Sequence, residues 1–275
     1  MTRIGRIIAL SVLVMTGVGV RAHAQAPINS NVALQPSKGG LIIRQQFRYT
    51  EGEQVSPMGD LDIESASTIT TLVYSVSDKL TLILDTPFVL SRRIENRTMG
   101  SDDTDSGFAD LRLLTKFRLY RDDFGPTDTA RFDLIGGFEL PAGRDEFSSD
   151  SIDPILGGVF SHIEGRHAFD ADAIWKFNTG GGERGADLLK YDLAYLYRLS
   201  PETYASTRPT ALFGAVELNG FYETNSDNEL FVSPGIQYVT TRWIVEATVQ
   251  LPVWQDLNHR AERDFIVGIG FRVQF

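Results

Sequence analysis

The sequence predicts an all-β protein that forms a single antiparallel transmembrane β-barrel of about twelve strands. Three observations predict this fold: an apolar leader at the N-terminus, a series of segments in which apolar and polar residues alternate, and a C-terminal strand that ends in Phe275. Successive side chains of a strand point to opposite faces, so such alternation gives one apolar and one polar face. Strands that cross a bilayer around a polar interior have this pattern.

The N-terminus has the features of a cleaved export signal. Arg3 and Arg6 form a positive region, Ile7 to Val20 is an apolar run, and Ala22-His23-Ala24 is a small-x-small cleavage site. We expect cleavage after Ala24. An uncleaved membrane anchor is the alternative, but the apolar run is shorter than the ~20 residues that a spanning helix needs.

The chain therefore divides into three regions. Residues 1–24 are the signal peptide, residues 25–39 are a periplasmic N-terminal segment, and residues 40–275 are the outer-membrane barrel. The segment 25–39 is polar and contains proline, and it either hangs free in the periplasm or tucks into the barrel. The chain contains no cysteine, which in an exported protein excludes a disulfide framework, so stability must come from burial or from closure of the sheet.

The charge balance argues against a nucleic-acid partner. The whole chain has 26 Lys and Arg and 36 Asp and Glu, and the signal peptide holds three of the cations (Arg3, Arg6 and Arg21) and no acid. The mature net charge is then −13, from 23 cations and 36 acids. Proteins that bind nucleic acid generally carry a basic surface instead.

The C-terminal strand is the most informative segment. In residues 264–275 (DFIVGIGFRVQF), every second residue from Phe265 to Phe275 is apolar, so one face of the strand is wholly apolar. A terminal phenylalanine on that face resembles the C-terminal recognition signal of outer-membrane barrels. We therefore expect the barrel-assembly machinery to bind this strand through Phe275, and we expect outer-membrane lipid and lipopolysaccharide to surround the barrel.

Other segments alternate in the same way, for example residues 110–119, 131–140 and 190–199. Strands are predicted at 40–49, 66–77, 79–91, 107–120, 130–141, 153–162, 166–178, 187–199, 209–221, 229–240, 241–253 and 264–275. Short turns are predicted at 77–78, 162–165 and 240–241, medium connections at 121–129 and 200–208, and longer polar links at 50–65, 92–106, 142–152, 178–186, 222–228 and 254–263. Short turns that alternate with long loops are the barrel layout.

The polar faces of these strands predict a densely charged lumen. The residues that we expect to line the passage are Arg112, Lys116, Asp133, Glu139, Lys190, Asp192, Glu217 and Glu246. Two interpretations remain open. Acidic and basic rows can filter solutes by their charge, as charged rings do in channels, or they can bridge neighbouring strands and brace a narrow barrel. Lumen width grows with strand number, so about twelve strands leave a narrow passage.

An enzymatic barrel is the alternative class. Ser161 and His162 are adjacent, so on a strand they point to opposite faces and cannot form a nucleophile–base pair. His259 lies in a predicted loop with Asp256 and Arg260, which suits an Asp–His protease site, although loop histidines are usually only solvent-exposed. No Cys/His spacing typical of a metal site is present. We therefore assign no catalytic, cofactor-binding or metal-binding residue and expect no cofactor.

Several segments resemble one family of bacterial outer-membrane transporters, described as outer-membrane proteins of the meta-pathway of phenol degradation. Residues 107–111 (GFADL) are similar to that family's Gly-x-Gly-Asp-Leu strand opening, with Ala109 in place of the second glycine. Residues 74–78 (YSVSD) followed by 80–88 (LTLILDTPF), residues 140–143 (LPAG) and residues 153–158 (DPILGG) resemble its turns and strand starts. The resemblance covers most of residues 66–275.

The resemblance implies an outer-membrane channel or transporter through which small molecules pass, apolar or aromatic ones among them. Its motifs mark turns and strand starts, so they transfer no catalytic residue to this chain. The solute is not specified. A barrel without a transport role, which is structural or contacts other molecules through its acidic loops, is the other open interpretation.

Overall fold

The computed structural model describes residues 25–56, 59–180, 185–204 and 210–275, so the predicted signal peptide lies outside the described residues. Within them, thirteen strands form one sheet, with a short 3-10 helix at Asp145–Phe147. The strands are β1 Leu41–Ser56, β2 Gly59–Ser75, β3 Leu80–Asn96, β4 Ser101–Phe108, β5 Leu111–Asp123, β6 Thr129–Leu140, β7 Asp153–Glu164, β8 His167–Lys176, β9 Leu188–Ser200, β10 Ala211–Glu223, β11 Asn228–Val239, β12 Trp243–Asp256 and β13 Glu262–Gln274. No helix in this part of the chain is long and apolar enough to cross a membrane.

The sheet closes on itself. β1 pairs with β2 on one side and with β13 on the other, and all of these pairings are antiparallel. β3 is shared by two strands, because β5 pairs with its residues 80–85 and β4 pairs with residues 88–96. The thirteen strands therefore fill twelve positions around the barrel. This confirms the predicted fold class and strand number.

The prediction of one continuous strand over residues 107–120 is wrong. The chain leaves the sheet at Ala109 and Asp110, between β4 and β5. The Ala109 amide donates to the Pro87 carbonyl at 3.1 Å, but Pro87 has no amide hydrogen with which to return a bond. The antiparallel ladder is interrupted there, and Asp110 is free to bind the loop that follows β6.

The predicted links 50–65 and 92–106 are also wrong as loops. β1 and β2 stay paired from Leu41 to Ser56, and β3 and β4 pair out to Asn96. This outer part of the sheet also carries exposed ion pairs, such as Arg93 with Asp102 at 2.8 Å and Arg97 with Asp62. Polar residues populate both of its faces, so it lacks the apolar alternation on which the strand predictions depended.

The membrane-crossing part has an apolar outer face and a polar inner face. On β5, Leu113, Phe117 and Leu119 are 45%, 46% and 54% exposed, whereas Leu114 and Lys116 between them are buried. Large apolar side chains exposed at this density suit lipid rather than water.

The two ends of the barrel differ in their connections. The predicted short turns are confirmed between β2 and β3, β7 and β8, and β11 and β12. In the second of these, Gly165 has a φ of 59°, a left-handed conformation that glycine adopts without strain. These turns lie at the same end as Leu41 and Phe275, which we call the turn end. The opposite end is the loop end; in outer-membrane barrels short turns face the periplasm.

A carboxylate at the β4–β5 junction anchors the loop between β6 and β7. Asp110 accepts hydrogen bonds from the Gly143 amide at 2.9 Å and from the amide and hydroxyl of Ser149 at 2.6 and 2.7 Å. Burial raises the pKa of Asp110, but these hydrogen bonds outweigh it and hold the pKa below its usual value. A depressed pKa means that the anchor is present above the unfolded-state pKa and is lost as pH falls through the folded-state pKa.

We expect Asp110→Asn to release this loop at neutral pH, because the new amide group turns a donor toward another N–H donor. The local loss is about 1.5–3 kcal/mol, the range for hydrogen bonds to a charged group. Hydrogen exchange of the peptide that carries Gly143 and Ser149 measures it, with Asp103→Asn, at an exposed position of β4, as the control. In the unsubstituted chain, protection should persist from pH 7 down to about pH 4. Equal exchange in all three proteins would contradict the anchor.

Candidate channel lumen

The alternation of the strands carries the predicted lumen residues into the barrel. Lys116, Asp133, Asp192, Glu217 and Glu246 are buried in its interior. Arg112, Glu139 and Lys190, together with Lys116, line an internal cavity. Their placement inside the barrel does not assign their function, which stays a prediction.

Several of these residues form ion pairs that join different strands of the barrel. Arg112 on β5 lies 3.0 Å from Asp85 on β3, and Lys176 on β8 lies 2.7 Å from Glu139 on β6. Buried carboxylates need such partners, because an unpaired charge in a poorly solvated interior is strongly destabilising. These pairs therefore support the wall of the barrel.

Three further ion pairs involve predicted lumen residues. Lys190 and Asp192 on β9 are 2.6 Å apart. Glu246 on β12 accepts from both Arg44 on β1, at 2.5 Å, and Arg272 on β13, at 2.6 Å. The Glu246 carboxylate thus joins three strands across the seam where the chain's first and last strands meet, and Gly270 leaves the room that it needs, since a Cβ there would lie 2.4 Å from Glu246 Oε1.

The N-terminal segment, residues 25–39, lies inside the barrel, the second of the two arrangements that the sequence left open. Its centre is held by Glu217 on β10. The Glu217 carboxylate accepts the backbone amides of Ile28, Asn29 and Ser30 at 2.7, 3.0 and 2.9 Å, and the Ser30 hydroxyl at 2.6 Å. Three consecutive amides on one carboxylate fix the path of this irregular chain. Charge-assisted hydrogen bonds of this kind are among the stronger ones in proteins.

The next residues of the segment are held in the same way. Asp172 on β8 accepts the Asn31 amide at 2.7 Å and its side-chain Nδ2 at 3.1 Å. Ser161 on β7 accepts the Ala33 amide at 2.8 Å. Asp133 on β6 accepts Nε2 of Gln35 at 2.8 Å. Successive barrel strands therefore each supply one acceptor to the segment.

The backbone carbonyls of residues 25–39 accept hydrogen bonds from side chains of β5, β11 and β13. Ala26 O accepts Gln237 Nε2 at 2.8 Å, and Pro27 O accepts Arg272 at 2.5 Å. Val32 O accepts Lys116 Nζ at 2.5 Å. Buried backbone groups outside regular structure must find such partners. The lumen charges supply them, so the segment and the lumen are complementary.

Apolar contacts add to this polar anchoring. Ile28 is 1% exposed and packs in a cluster that includes Leu34, Ala194 and Leu196. Gly235 on β11 makes room for it, because a Cβ at that position would lie 2.5 Å from Ile28 Cδ1. A larger residue at position 235 would force the end of the Ile28 side chain to move.

The segment does not fill the lumen. A cavity of about 550 Å³ remains between it and the wall formed by β1, β2, β3 and β5. Its lining includes Trp243 and Gln274 near the turn end and Phe221 and Arg263 near the loop end, so the cavity extends along the barrel axis. This is large compared with the ~150 Å³ cavity that holds benzene in an engineered protein.

Two rows of side chains cross this wall in register. The polar row consists of Arg44, Thr71, Asp85 and Arg112, on β1, β2, β3 and β5. The apolar row, two residues nearer the turn end on each strand, consists of Ile42, Val73, Ile83 and Leu114. Members of both rows line the cavity, so an apolar strip of its surface lies beside a polar strip.

A separate charged cluster lies at the loop end. His259 Nδ1 lies 3.1 Å from Asp227, which also accepts the backbone amides of Asn258 and His259 at 2.8 and 3.0 Å. Burial raises the pKa of Asp227, but these hydrogen bonds hold it below its usual value. The carboxylate that contacts His259 is therefore Asp227 and not the predicted Asp256. The hydrogen bonds of Asp227 hold the loop that contains Asn258 and His259, so this carboxylate has a structural role. In the described residues, no group of three or more histidines and acids is placed to hold a metal ion.

The sequence reasoning missed an ion pair beside this cluster. Glu229, on β11, is fully buried and lies 2.8 Å from Arg263, on β13. Position 229 follows the alternation of β11, whose Phe231, Ser233 and Gln237 also point inward. Continuing that alternation by one step would have identified it, but Arg263 was placed in a predicted loop.

The sequence matches the family described as "Putative MetA-pathway of phenol degradation" over residues 44–264. No curated protein matches the chain significantly. Among solved structures, an outer membrane channel from Pseudomonas putida F1 is similar, with 15% identity and a TM-score of 0.57, over 95% of this chain and 100% of that one. The β domain of the Bordetella autotransporter BrkA has 11% identity and a TM-score of 0.48, over 87% and 100% of the two chains. The CymD monoaromatic hydrocarbon channel has 10% identity and a TM-score of 0.45, over 87% and 89%. At these identities the likeness shows the fold alone, that of bacterial outer-membrane barrels.

The role of Glu217 in holding the segment can be tested directly. We expect Glu217→Gln to loosen residues 25–39, because one of the two acceptor oxygens becomes a donor group facing backbone amides. The chain has no native cysteine, so a single Val32→Cys substitution reports on the segment without background. Its reaction with a bulky maleimide should become about tenfold faster or more, since removing hydrogen bonds to a charged group loses at least ~1.5 kcal/mol.

Glu164→Gln, in the exposed turn between β7 and β8, is the matched control and should leave the maleimide reaction rate unchanged. An equal rate in the Glu217→Gln protein would show that other contacts hold the segment. Retention of the heat-modifiable gel migration of a folded barrel separates loosening of the segment from unfolding.

Proposed function

The chain belongs to the family described as "Putative MetA-pathway of phenol degradation" and forms a bacterial outer-membrane barrel, and we propose that it is a porin-like channel for small molecules, including apolar or aromatic ones. The observation that carries the proposal is the cavity that runs beside residues 25–39 along the β1–β2–β3–β5 wall. The family match and the similar outer membrane channel from Pseudomonas putida F1 support the same assignment.

The size and lining of the cavity favour small solutes with an apolar part. The apolar row gives a surface on which a ring or short aliphatic chain can lie without losing dispersion contacts. The polar row beside it keeps water and hydrogen-bonding groups in the passage. Conduction requires contacts that are weak enough for the solute to leave, and a solute that moves along the barrel axis meets the apolar row and the polar row one after the other.

We assign the protein to passage rather than catalysis. Ser161 points into the barrel, where it donates to Asp170, whereas the neighbouring His162 lies outside near Glu164 at 3.6 Å. His259 contacts the structural carboxylate Asp227. Within the described residues, the ion-pair partners of His162 and His259 are thus carboxylates and not the serine or cysteine nucleophile that many hydrolases use.

The passage is tested by narrowing it. Leu114→Trp adds bulk to the apolar row, whereas Leu113→Trp adds the same bulk one residue away on the lipid-facing side. The refolded proteins are placed in liposomes, and permeation of a small sugar and of benzamide is compared with that of empty liposomes. We expect the unsubstituted chain to accelerate permeation of benzamide, and we expect Leu114→Trp to abolish most of the gain while Leu113→Trp keeps it.

No acceleration by a correctly folded barrel would reject the channel and favour a structural role. Equal permeation through both tryptophan variants would place the path elsewhere. Folding of each variant is checked by heat-modifiable migration on gels.

We further propose that the barrel-assembly machinery recognises β13 through Phe275. Phe275 is 53% exposed on the outer face, and its backbone bonds to Leu41 at the closing seam, with N–O distances of 2.8 and 3.3 Å. Phe275→Ala removes the outward ring but keeps these backbone bonds. We expect less protein in the outer membrane of living cells and an unchanged yield of refolding in detergent. A parallel fall in both would indicate a stability effect instead.

A further inference from the structure

The lining of the cavity differs in charge from the lumen as a whole. Five of the eight predicted lumen residues are acids, yet ten of the described side chains that line the cavity are Arg or Lys and two, Asp85 and Glu139, are acids. The remaining lumen acids face residues 25–39 or the barrel wall. Glu217 and Asp172 are occupied by backbone amides of that segment.

Three ion pairs of the lumen are oriented in the same way, with the cation more exposed than the acid. Lys190 is 37% exposed while its partner Asp192 is 0% exposed, and Arg263 is 30% exposed while Glu229 is 0% exposed. Arg112 and Asp85 show the same order, at 39% and 10%. In each pair the acid is held against the wall and the cation faces the open space.

Two cations of the lining donate to neutral groups. Arg48 donates to the side-chain oxygens of Asn29 and Gln250 at 3.3 and 3.5 Å, and Lys116 donates to the Val32 carbonyl at 2.5 Å. Neutral acceptors do not cancel a positive charge. A solute in the passage is closest to these cations, and salt screens more distant charges over about 8 Å at physiological ionic strength.

We propose that the passage selects small organic anions, in which one carboxylate is attached to an apolar body. This inference rests on the proposed channel function and names its substrate class. Leu114 of the apolar row lies between Arg112 and Lys116 on the same face of β5. Alternate residues of a strand are about 6.8 Å apart. A ring that lies on Leu114 and Ile83 therefore brings its carboxylate level with Arg112 and Asp85, and of these two paired groups the guanidinium is the one exposed to the passage.

The test measures ion selectivity in planar bilayers that contain the refolded mature chain. Under a potassium chloride gradient, the reversal potential should give a chloride-to-potassium permeability ratio of about three to ten. Replacing chloride by benzoate should keep an inward anion current, whereas benzylammonium, a cation of the same shape, should carry much less current than benzoate at pH 7.

The double variant Arg48→Gln/Arg112→Gln should bring the permeability ratio close to one, and Arg48→Lys/Arg112→Lys should restore it. Lys79→Gln, in the exposed turn between β2 and β3, is the matched control and should not change it. A channel that conducts but prefers potassium or benzylammonium would overturn the anion assignment while leaving the channel function standing. A correctly folded barrel without any current or solute permeation would reject the channel function itself. A double variant that keeps the original ratio would overturn the assignment to these arginines.

Discussion

The carboxylate of Glu217, bound to three consecutive backbone amides, is the interaction on which the organisation of the lumen depends. A barrel with twelve strand positions encloses little space, and every polar group placed there must find a partner. Residues 25–39 have no regular structure of their own, so their amides and carbonyls would be unsatisfied in that space. Glu217, with Asp172 and Ser161 on adjacent strands, meets that requirement for the amides. The segment is thereby fixed in place, and the passage is limited to the space that the segment leaves.

The same constraint explains how the barrel closes. Strands β4 and β5 share one position because Pro87 and Asp110 interrupt the ladder at the membrane edge, and the chain resumes on the same neighbour. Toward the loop end the sheet continues beyond this point as a solvated ladder, in which ion pairs take the place of apolar packing. Exposed ion pairs each contribute little to stability, so this outer ladder depends mainly on its backbone hydrogen bonds and on continuity with the barrel below.

The sequence allowed the membrane-crossing strands to be predicted, because a lipid-facing side imposes alternation on every strand. The same alternation puts Arg112, Lys116, Asp133 and Glu217 on the inner faces of their strands, and their function there stays a prediction. The outer ladder could not be found in this way, since water bathes both of its faces and imposes no period. The path of residues 25–39 was equally hidden. It depends on contacts between residues about 190 positions apart, such as Ser30 and Glu217, and no local pattern records them.

From the sequence, the charged lumen residues either brace neighbouring strands or filter solutes by charge, but the geometry allows one ion pair to do both. A carboxylate such as Glu229, fully buried against the wall, needs a cation to offset its desolvation, and Arg263 supplies it from another strand. The longer cation then reaches past it toward the open space, because a Lys or Arg head prefers the better-hydrated side while its stem covers the wall. The cations that brace the strands therefore give the open space of the lumen a positive surface. A narrow barrel that stabilises buried acids with Lys and Arg acquires an anion-attracting passage as a consequence of its own stability.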